Sequence, residues 1–315
     1  MLITKMQQFS LRTRSFLRGA IIGMAVFLLA PLGHASDIGE SLPAYEMPHT
    51  VVHTVPADAM HRNYQVWVDL PASYADGTKK YPVVFVVDAD YSFPLVHSIR
   101  NRLGAKGQNI EEFILVGLSY AVDDSPTESR SRGYTPTDAL QHPHRSDQYG
   151  ATHYGEAAAY RDYIESQVFP LLAEHYRADM SRKFFVGHSY GGLFGAFVLL
   201  TKSAMFQTYI LSSPSLQYDH HVIERYEQNY ARTHRDLPAR VLLYDGGYET
   251  IKEGPRYNST VDMVQDARAF SRRLKERHYP HLSIDDAVIP DEDHLSVYPS
   301  MISRALLRVL PGSGP

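Results

Sequence analysis

A serine framed by two glycines is the part of the sequence best suited to chemistry. In the stretch Lys183–Gly195, KFFVGHSYGGLFG, apolar residues run directly into a G-x-S-x-G pentapeptide centred on Ser189, and small and apolar residues follow. This order predicts a buried strand, a tight turn and the start of a helix, which is the setting of a nucleophilic serine. Gly187 and Gly191 leave space where a Cβ would collide with the neighbouring strand or helix. We therefore predict Ser189 as a nucleophile.

A nucleophilic serine needs a base, and the base needs a group that orients it. In chains with this type of turn, the acid and the histidine follow the serine, each after a later strand. Of the 16 histidines, His294 stands out because Asp291-Glu292-Asp293-His294 comes directly after the last predicted strand and before the last predicted helix. This position predicts His294 as the base.

The acid should follow the strand before that histidine. Two carboxylates qualify, because Asp245 lies at the edge of the predicted strand Arg240–Tyr244 and Glu249 comes four residues later, after the pair Gly246-Gly247. A carboxylate that reaches the far side of an imidazole ring is best carried on a loop. This argument favours Glu249, with Asp245 as the alternative.

The oxyanion that forms during acyl transfer requires two backbone N–H donors. One donor comes from the residue after the nucleophile, which is Tyr190, and the other from the turn after an earlier buried strand. That turn is Asp88-Ala89-Asp90, which follows the strand ending at Val87. We assign the second donor to the N–H of Asp90.

The predicted elements alternate between buried strands and helices, which indicates an α/β fold with a mostly parallel central sheet and helices on both faces. Besides the strand of the serine turn, the pattern predicts strands at Thr50–Val55, Tyr64–Leu70, Tyr81–Val87, Phe113–Leu118, Thr208–Leu211, Arg240–Tyr244 and Leu282–Ile289. It predicts helices at Phe93–Leu103, Gly155–Tyr176, His220–Arg232, Val261–Arg277 and Tyr298–Val309.

Residues 120–153 show no clear periodicity and are interpreted as a long polar loop. A loop of this length in a compact domain is usually functional or disordered. It contains Arg130, Arg132 and Tyr134, which we predict to contact the substrate. Arg130 and Arg132 suit an anionic ligand or a carboxylate product, although they could equally tether the loop to surface acids.

Residues 1–35 have the pattern of an export signal. Basic residues precede an apolar run from Ala20 to Leu32, and Gly33-His34-Ala35 offers small residues at the positions that a signal peptidase reads. The apolar run is shorter than the roughly 20 residues that span a bilayer, so a cleaved signal peptide is favoured over an N-terminal anchor. We therefore predict a periplasmic or secreted protein without a stable membrane span, with residues 36–315 forming one domain.

Composition excludes several other kinds of site. The chain has no cysteine and a formal net charge of −4, so it offers neither thiolate chemistry nor the basic surface that nucleic acid requires. The pairs His142 and His144, and His220 and His221, lack carboxylates at ligand spacing, and no metal site is predicted. Glycine-rich nucleotide motifs are absent as well, so no cofactor is expected.

Five motifs together resemble the esterase-D-like branch of the α/β hydrolases, which includes the siderophore esterases acting on enterobactin, salmochelin and bacillibactin. The segments are YPVVFVVDADYSF, GYTPT, GHSYGGLFG, LSSPSL and DEDHLSVYP, and the likeness covers roughly Thr50–Leu310. The resemblance implies an α/β-hydrolase fold with Ser189 as nucleophile, His294 as base, Glu249 as acid and an oxyanion donor at Asp88–Asp90. Some members work as a serine–histidine pair, so the acid transfers least securely.

These observations predict a serine esterase that cleaves carboxylic esters through an acyl-enzyme. Its substrate is a small ester, and the resemblance makes a siderophore trilactone the most specific candidate. A general short-acyl carboxylesterase and an acyltransferase on the same fold remain as alternatives within this class. A catalytically silent periplasmic binding protein is the alternative of another class, although such a protein usually loses the serine or the histidine.

Overall fold

The structure is a computed structural model that describes residues 45–139 and 151–314. The chain divides into two compact units, Met1–Glu46 and Met47–Pro315, and the account below concerns the second. The predicted export signal at residues 1–35, the predicted domain start at residue 36 and the pair His142 and His144 lie outside the described residues.

Eight strands form one sheet in the order β1-β2-β4-β3-β5-β6-β7-β8. The strands β1 and β2 pair antiparallel, as do β2 and β4, whereas every pair from β4 through β3 to β8 is parallel. Their bounds are β1 Thr50–Ala57, β2 Arg62–Asp69, β3 Tyr81–Val87, β4 Ile114–Ala121, β5 Ala178–His188, β6 Thr208–Ser212, β7 Ala239–Gly246 and β8 Leu282–Ile289. The prediction of a mostly parallel sheet is confirmed.

Helices connect the parallel strands. They are α1 Ala89–Leu103, α2 Pro126–Tyr134, α3 Ala157–Tyr163, α4 Phe169–His175, α5 Tyr190–Thr201, α6 Tyr218–Thr233, α7 Met263–Glu276 and α8 Val297–Val309. Along the described stretches, no helix combines the length and the apolar character that a bilayer crossing requires.

The sheet is buried on both faces because alternate side chains of its central strands enter two different apolar clusters. Val83, Phe85 and Val87 of β3 belong to one cluster, and Val84 and Val86 belong to the other. Successive side chains of a strand point to opposite faces, so helices cover both sides. Because both faces of the sheet are covered, the sequences of β3 and of the end of β5 are continuous apolar runs.

Two predicted elements differ from the structure. The segment interpreted as a long loop contains α2, whose first turn is capped by Ser125, with the Glu128 N–H donating to the Ser125 hydroxyl at 3.1 Å. The single helix predicted over residues 155–176 is divided into α3 and α4 by a π-helical turn, Ile164–Val168. The serine cap followed by proline was a signal for α2, but the helix has too weak an apolar stripe to be found by periodicity.

Candidate active site

Ser189 lies in a sharp turn between β5 and α5. Its backbone has φ +57° and ψ −117°, a region that non-glycine residues rarely adopt. Strand and helix approach so closely here that a Cβ on Gly187 would lie 2.3 Å from the carbonyl oxygen of Gly191. The two glycines therefore permit the turn that presents the serine at the carboxyl end of the sheet.

The hydroxyl of Ser189 opens onto a cavity of about 560 Å³ that His294 also lines. Its Oγ lies 3.3 Å from the Oγ of Ser215, within hydrogen-bonding distance. In the part of the chain that the structure describes, no hydrogen bond joins Ser189 Oγ to the imidazole of His294. Catalytic hydrogen bonds often tighten only when substrate is bound, so this geometry is compatible with a nucleophile and its base.

His294 and Glu249 form a direct pair. The Nδ1 of His294 lies 2.6 Å from Oε1 of Glu249, whose side chain is only 1% exposed. The other carboxylate oxygen, Oε2, accepts hydrogen bonds from the Gly246 N–H at 2.6 Å and from the Ser213 hydroxyl at 2.5 Å. A carboxylate only accepts, so Nδ1 carries the proton and Nε2 is left as the basic nitrogen.

Asp245, the alternative acid, is placed elsewhere. It lies at the end of β7, fully buried, and within the described residues its Oδ1 has no hydrogen-bond partner. Burial raises the pKa of this carboxyl well above its usual range, and the neighbouring charge of Glu249 raises it further. Within the described residues, the carboxylate that pairs with His294 is that of Glu249, and no hydrogen bond joins Asp245 to the imidazole.

The turn after β3 is held by a buried carboxylate. Asp88 adopts a left-handed conformation with φ +53°, and its N–H donates to the hydroxyl of Tyr134 at 3.1 Å. Its carboxylate accepts two hydrogen bonds from Arg130, at 3.1 and 3.2 Å, and further ones from the hydroxyls of Tyr120 and Tyr91, at 2.9 and 3.1 Å. This network fixes the residue from which α1 begins.

The two predicted oxyanion donors lie at the starts of helices. Asp90 is in the first turn of α1, and Tyr190 is the first residue of α5. The first N–H groups of a helix have no carbonyl within the helix to bind, which makes them suitable donors to an anion. Because β3 and β5 are adjacent and parallel, both helix starts lie at the same edge of the sheet.

Of the three predicted substrate contacts, only Arg130 lines the cavity. Burial disfavours its charge, but the ion pair with Asp88 outweighs this effect and raises the pKa of the Arg130 guanidinium. Arg132 is 6% exposed and pairs with Asp124, and Tyr134 is 2% exposed. Both side chains are buried and neither is among the residues that line the cavity, so the structure does not place them where the prediction expects a substrate contact.

His188 is a residue of the site that the sequence analysis missed. It lines the cavity, is 7% exposed, and its ring centroid lies 4.6 Å from that of His294. Burial and then the neighbouring His294 and Arg130 lower its pKa well below the usual range, so it is neutral. The position of His188 directly before Ser189 could have indicated a place in the site. The residue type at this variable position of the pentapeptide does not by itself predict a role.

The remaining wall of the cavity is mostly apolar, and Leu295 at its mouth is 82% exposed. The apolar and aromatic lining residues are Tyr91, Leu95, Tyr190, Leu295, Tyr298 and Pro299. A cavity of this size and character suits a small organic molecule rather than a polymer chain.

No group of three or more metal-ligating side chains occurs within residues 45–139 and 151–314. Of the histidine pair at the start of α6, His221 has its Nε2 3.1 Å from Oδ1 of Asp266.

Comparisons with known proteins agree with this architecture. The model of a family described as "Putative esterase" matches residues 57–280. The ferri-bacillibactin esterase BesA of Bacillus subtilis (strain 168) is 27% identical over 282 residues, covering 88% of this chain and 95% of the relative. The solved BES protein from Bacillus cereus has a TM-score of 0.71 at 23% identity, covering 86% of this chain and 98% of that one. An IroE-like serine hydrolase from Shewanella oneidensis has a TM-score of 0.70 at 22% identity, with coverages of 82% and 79%. The predicted α/β-hydrolase fold is confirmed.

Proposed function

Because the chain belongs to this esterase family and is a carboxylic ester hydrolase, we propose that it cleaves its substrate through a Ser189–His294–Glu249 triad. The observation that carries the proposal is the 2.6 Å contact between His294 Nδ1 and Glu249 Oε1, with His294 lining the same cavity as Ser189. A paired acid leaves the outer nitrogen of the imidazole free to act as a base.

The reaction follows from this arrangement. Ser189 Oγ attacks the ester carbonyl carbon while Nε2 of His294 takes the hydroxyl proton. The N–H groups of Tyr190 and Asp90 stabilise the oxyanion, and Glu249 stabilises the imidazolium. His294 then returns the proton to the leaving alcohol, and a water molecule activated by the same imidazole hydrolyses the acyl-enzyme.

We propose a siderophore ester, such as a catecholate trilactone, as the substrate. Relatives that act on siderophores support this, as does the aromatic and apolar cavity wall. Arg130 places a positive charge at the wall of the cavity. Its Nε and Nη2 donate to Asp88, which leaves Nη1 for an anionic group of the ligand.

The predicted export signal at residues 1–35 leads us to propose that the reaction takes place in the periplasm or outside the cell. Cell fractionation followed by immunoblotting tests this. Recovery of the protein only from the cytoplasmic fraction would contradict it.

A substrate panel tests the proposed function. The purified protein is compared on a catecholate trilactone and on short-acyl p-nitrophenyl esters, together with the Ser189→Ala variant. We expect Ser189→Ala to lose at least about 10³-fold in kcat on every ester because the nucleophile is gone. The matched control is Ser271→Ala. Ser271 is a buried serine of α7 whose hydroxyl donates to Asp286 of β8, and neither residue lines the cavity.

The same panel separates the substrate classes. A higher kcat/KM for the trilactone that falls in Arg130→Lys supports a siderophore esterase, because lysine keeps the charge beside Asp88 but loses the two-pronged geometry. A preference for short acyl esters that Arg130→Lys leaves unchanged identifies a general carboxylesterase. A Ser189→Ala protein with native turnover would overturn the mechanism itself.

A further inference from the structure

The end of β6 and the turn that follows it contact three members of the site through three different serines. The Oγ of Ser212 lies 3.1 Å from Nδ1 of His188. The hydroxyl of Ser213 donates to Oε2 of Glu249 at 2.5 Å, and the Oγ of Ser215 is 3.3 Å from that of Ser189. All three serines are buried, and none of the steps described above uses them. This turn is therefore a candidate for holding the reacting groups in place.

Ser213 adopts a conformation that its residue type disfavours. Its φ is +40°, in the left-handed region where a Cβ is strained, and its side chain is fully buried. Its N–H donates to the carbonyl of Tyr244 in β7 at 2.7 Å, which fixes the backbone of the turn. Glycine would adopt this conformation with less strain. A serine at such a position indicates that the hydroxyl is needed.

The partner of that hydroxyl is the carboxylate of Glu249. The backbone of this residue is held by two hydrogen bonds, since its N–H donates to the Gly246 carbonyl at 3.0 Å and its carbonyl accepts from the Met263 N–H at 3.0 Å. These bonds do not set the direction of the carboxylate. Two donors bind Oε2, namely the N–H of Gly246 at the end of β7 and the hydroxyl of Ser213 after β6. With Oε2 fixed from two strands, Oε1 is the oxygen that faces Nδ1 of His294.

We propose that Ser213 is a positioning residue, whose hydroxyl holds the Glu249 carboxylate in the orientation that pairs it with His294. The strained turn after β6 is then part of the machinery of ester cleavage, although it does not touch the substrate. This inference rests on the proposed function, since it requires Glu249 to act as the triad acid.

Two variants at one position test the inference. Ser213→Ala and Ser213→Gly both remove the hydroxyl, but only the glycine relieves the left-handed strain. We expect kcat on a p-nitrophenyl ester to fall roughly 10- to 100-fold in both, with KM within about twofold of native, because a hydrogen bond to a charged group is lost. We also expect Ser213→Gly to unfold at a higher temperature than Ser213→Ala. A native kcat in a folded Ser213→Gly protein would overturn the proposal.

A double-mutant cycle shows whether the hydroxyl acts through the acid. In a Glu249→Ala background, Ser213→Ala should lower kcat no further, because the group that it positions is already absent. A second 10-fold loss in that background would overturn the inference. Ser271→Ala again serves as the control, as it removes another buried serine that donates to a carboxylate, and its kcat should stay native.

The same variants distinguish a failure of this inference from a failure of the proposed function. If Ser189→Ala and Glu249→Ala are inactive while both Ser213 variants keep native kcat, the triad stands and only the positioning role fails. If Glu249→Ala keeps native activity, the proposed acid fails and the inference fails with it.

Discussion

Glu249 is the residue whose chemical state matters most to the proposed base. It is buried beside His294, and its two oxygens are divided between the imidazole and a pair of backbone and hydroxyl donors. A carboxylate in this position stabilises the imidazolium that forms during acyl transfer, and it selects the tautomer with the proton on Nδ1. Both effects depend on negative charge rather than on shape.

We expect Glu249→Gln to lower kcat roughly 10²- to 10⁴-fold, because an amide keeps the shape but provides no charge to stabilise the imidazolium. Steady-state hydrolysis of a p-nitrophenyl ester measures the effect. The matched control is Asp245→Asn, which replaces the other carboxyl of the same strand and loop by an amide and should leave kcat near native. The reverse ranking of the two variants would assign the acid to Asp245.

The carboxyl ends of five neighbouring strands supply the site. The turn after β3 leads to the proposed donor at Asp90, β5 to Ser189, β6 to the turn of Ser213 and Ser215, β7 to the loop of Glu249, and β8 to His294. Parallel pairing brings all these ends to one edge of the sheet. The close approach of β5 and α5 is the tightest of these arrangements.

We expect Gly187→Ala to lower the free energy of unfolding by about 3 kcal/mol or more, because its Cβ would meet the backbone carbonyl of Gly191 at 2.3 Å and neither backbone can yield without moving the turn. Urea denaturation measures the loss. Gly133→Ala in α2 is the control, since its Cβ would lie 3.5 Å from the ring of Tyr160, an ordinary contact. Equal stability of the two variants would contradict this account of the turn.

The strands and the turn at Ser189 could be predicted from the sequence because both depend on local pattern. Buried parallel strands are continuous apolar runs, and the serine turn is a contiguous motif. The roles of His188 and Ser213 were not predictable, because their contacts join residues far apart in the chain. The burial of Arg132 was also not predicted, because α2 has a capped start but an apolar stripe too weak to be recognised by periodicity.

At the scale of the whole molecule, stability depends on Asp245, an acid buried at the end of β7, the strand next to one edge of the sheet. Burial first, and then the charge of Glu249, raises its pKa well above the usual range. The folded state therefore keeps a proton that the unfolded chain releases above about pH 4. The contribution of Asp245 to the free energy of unfolding therefore decreases as the pH rises from about 4 towards the folded-state pKa.

Asp245→Asn should remove this cost, because an amide has a similar shape and does not ionise. We expect the variant to be more stable than the native protein at pH 7, by a difference that shrinks as the pH falls and is lost near pH 3. Urea denaturation at several pH values measures the difference. A difference that stays constant between pH 3 and pH 7 would show that Asp245 ionises alike in both states.

The parts of the candidate site lie at five strand ends. Reaction at Ser189, the proposed nucleophile, therefore indicates that the tertiary structure has assembled. Ser189, Glu249 and His294 are far apart along the chain, and they meet only when β5, β7 and β8 have assembled in the sheet. A partly assembled molecule can keep much of its helical circular dichroism and still fail to react with a fluorophosphonate. The fraction of chains labelled at Ser189 therefore measures, during refolding or storage, how many molecules have completed the sheet, a quantity that secondary structure alone does not give.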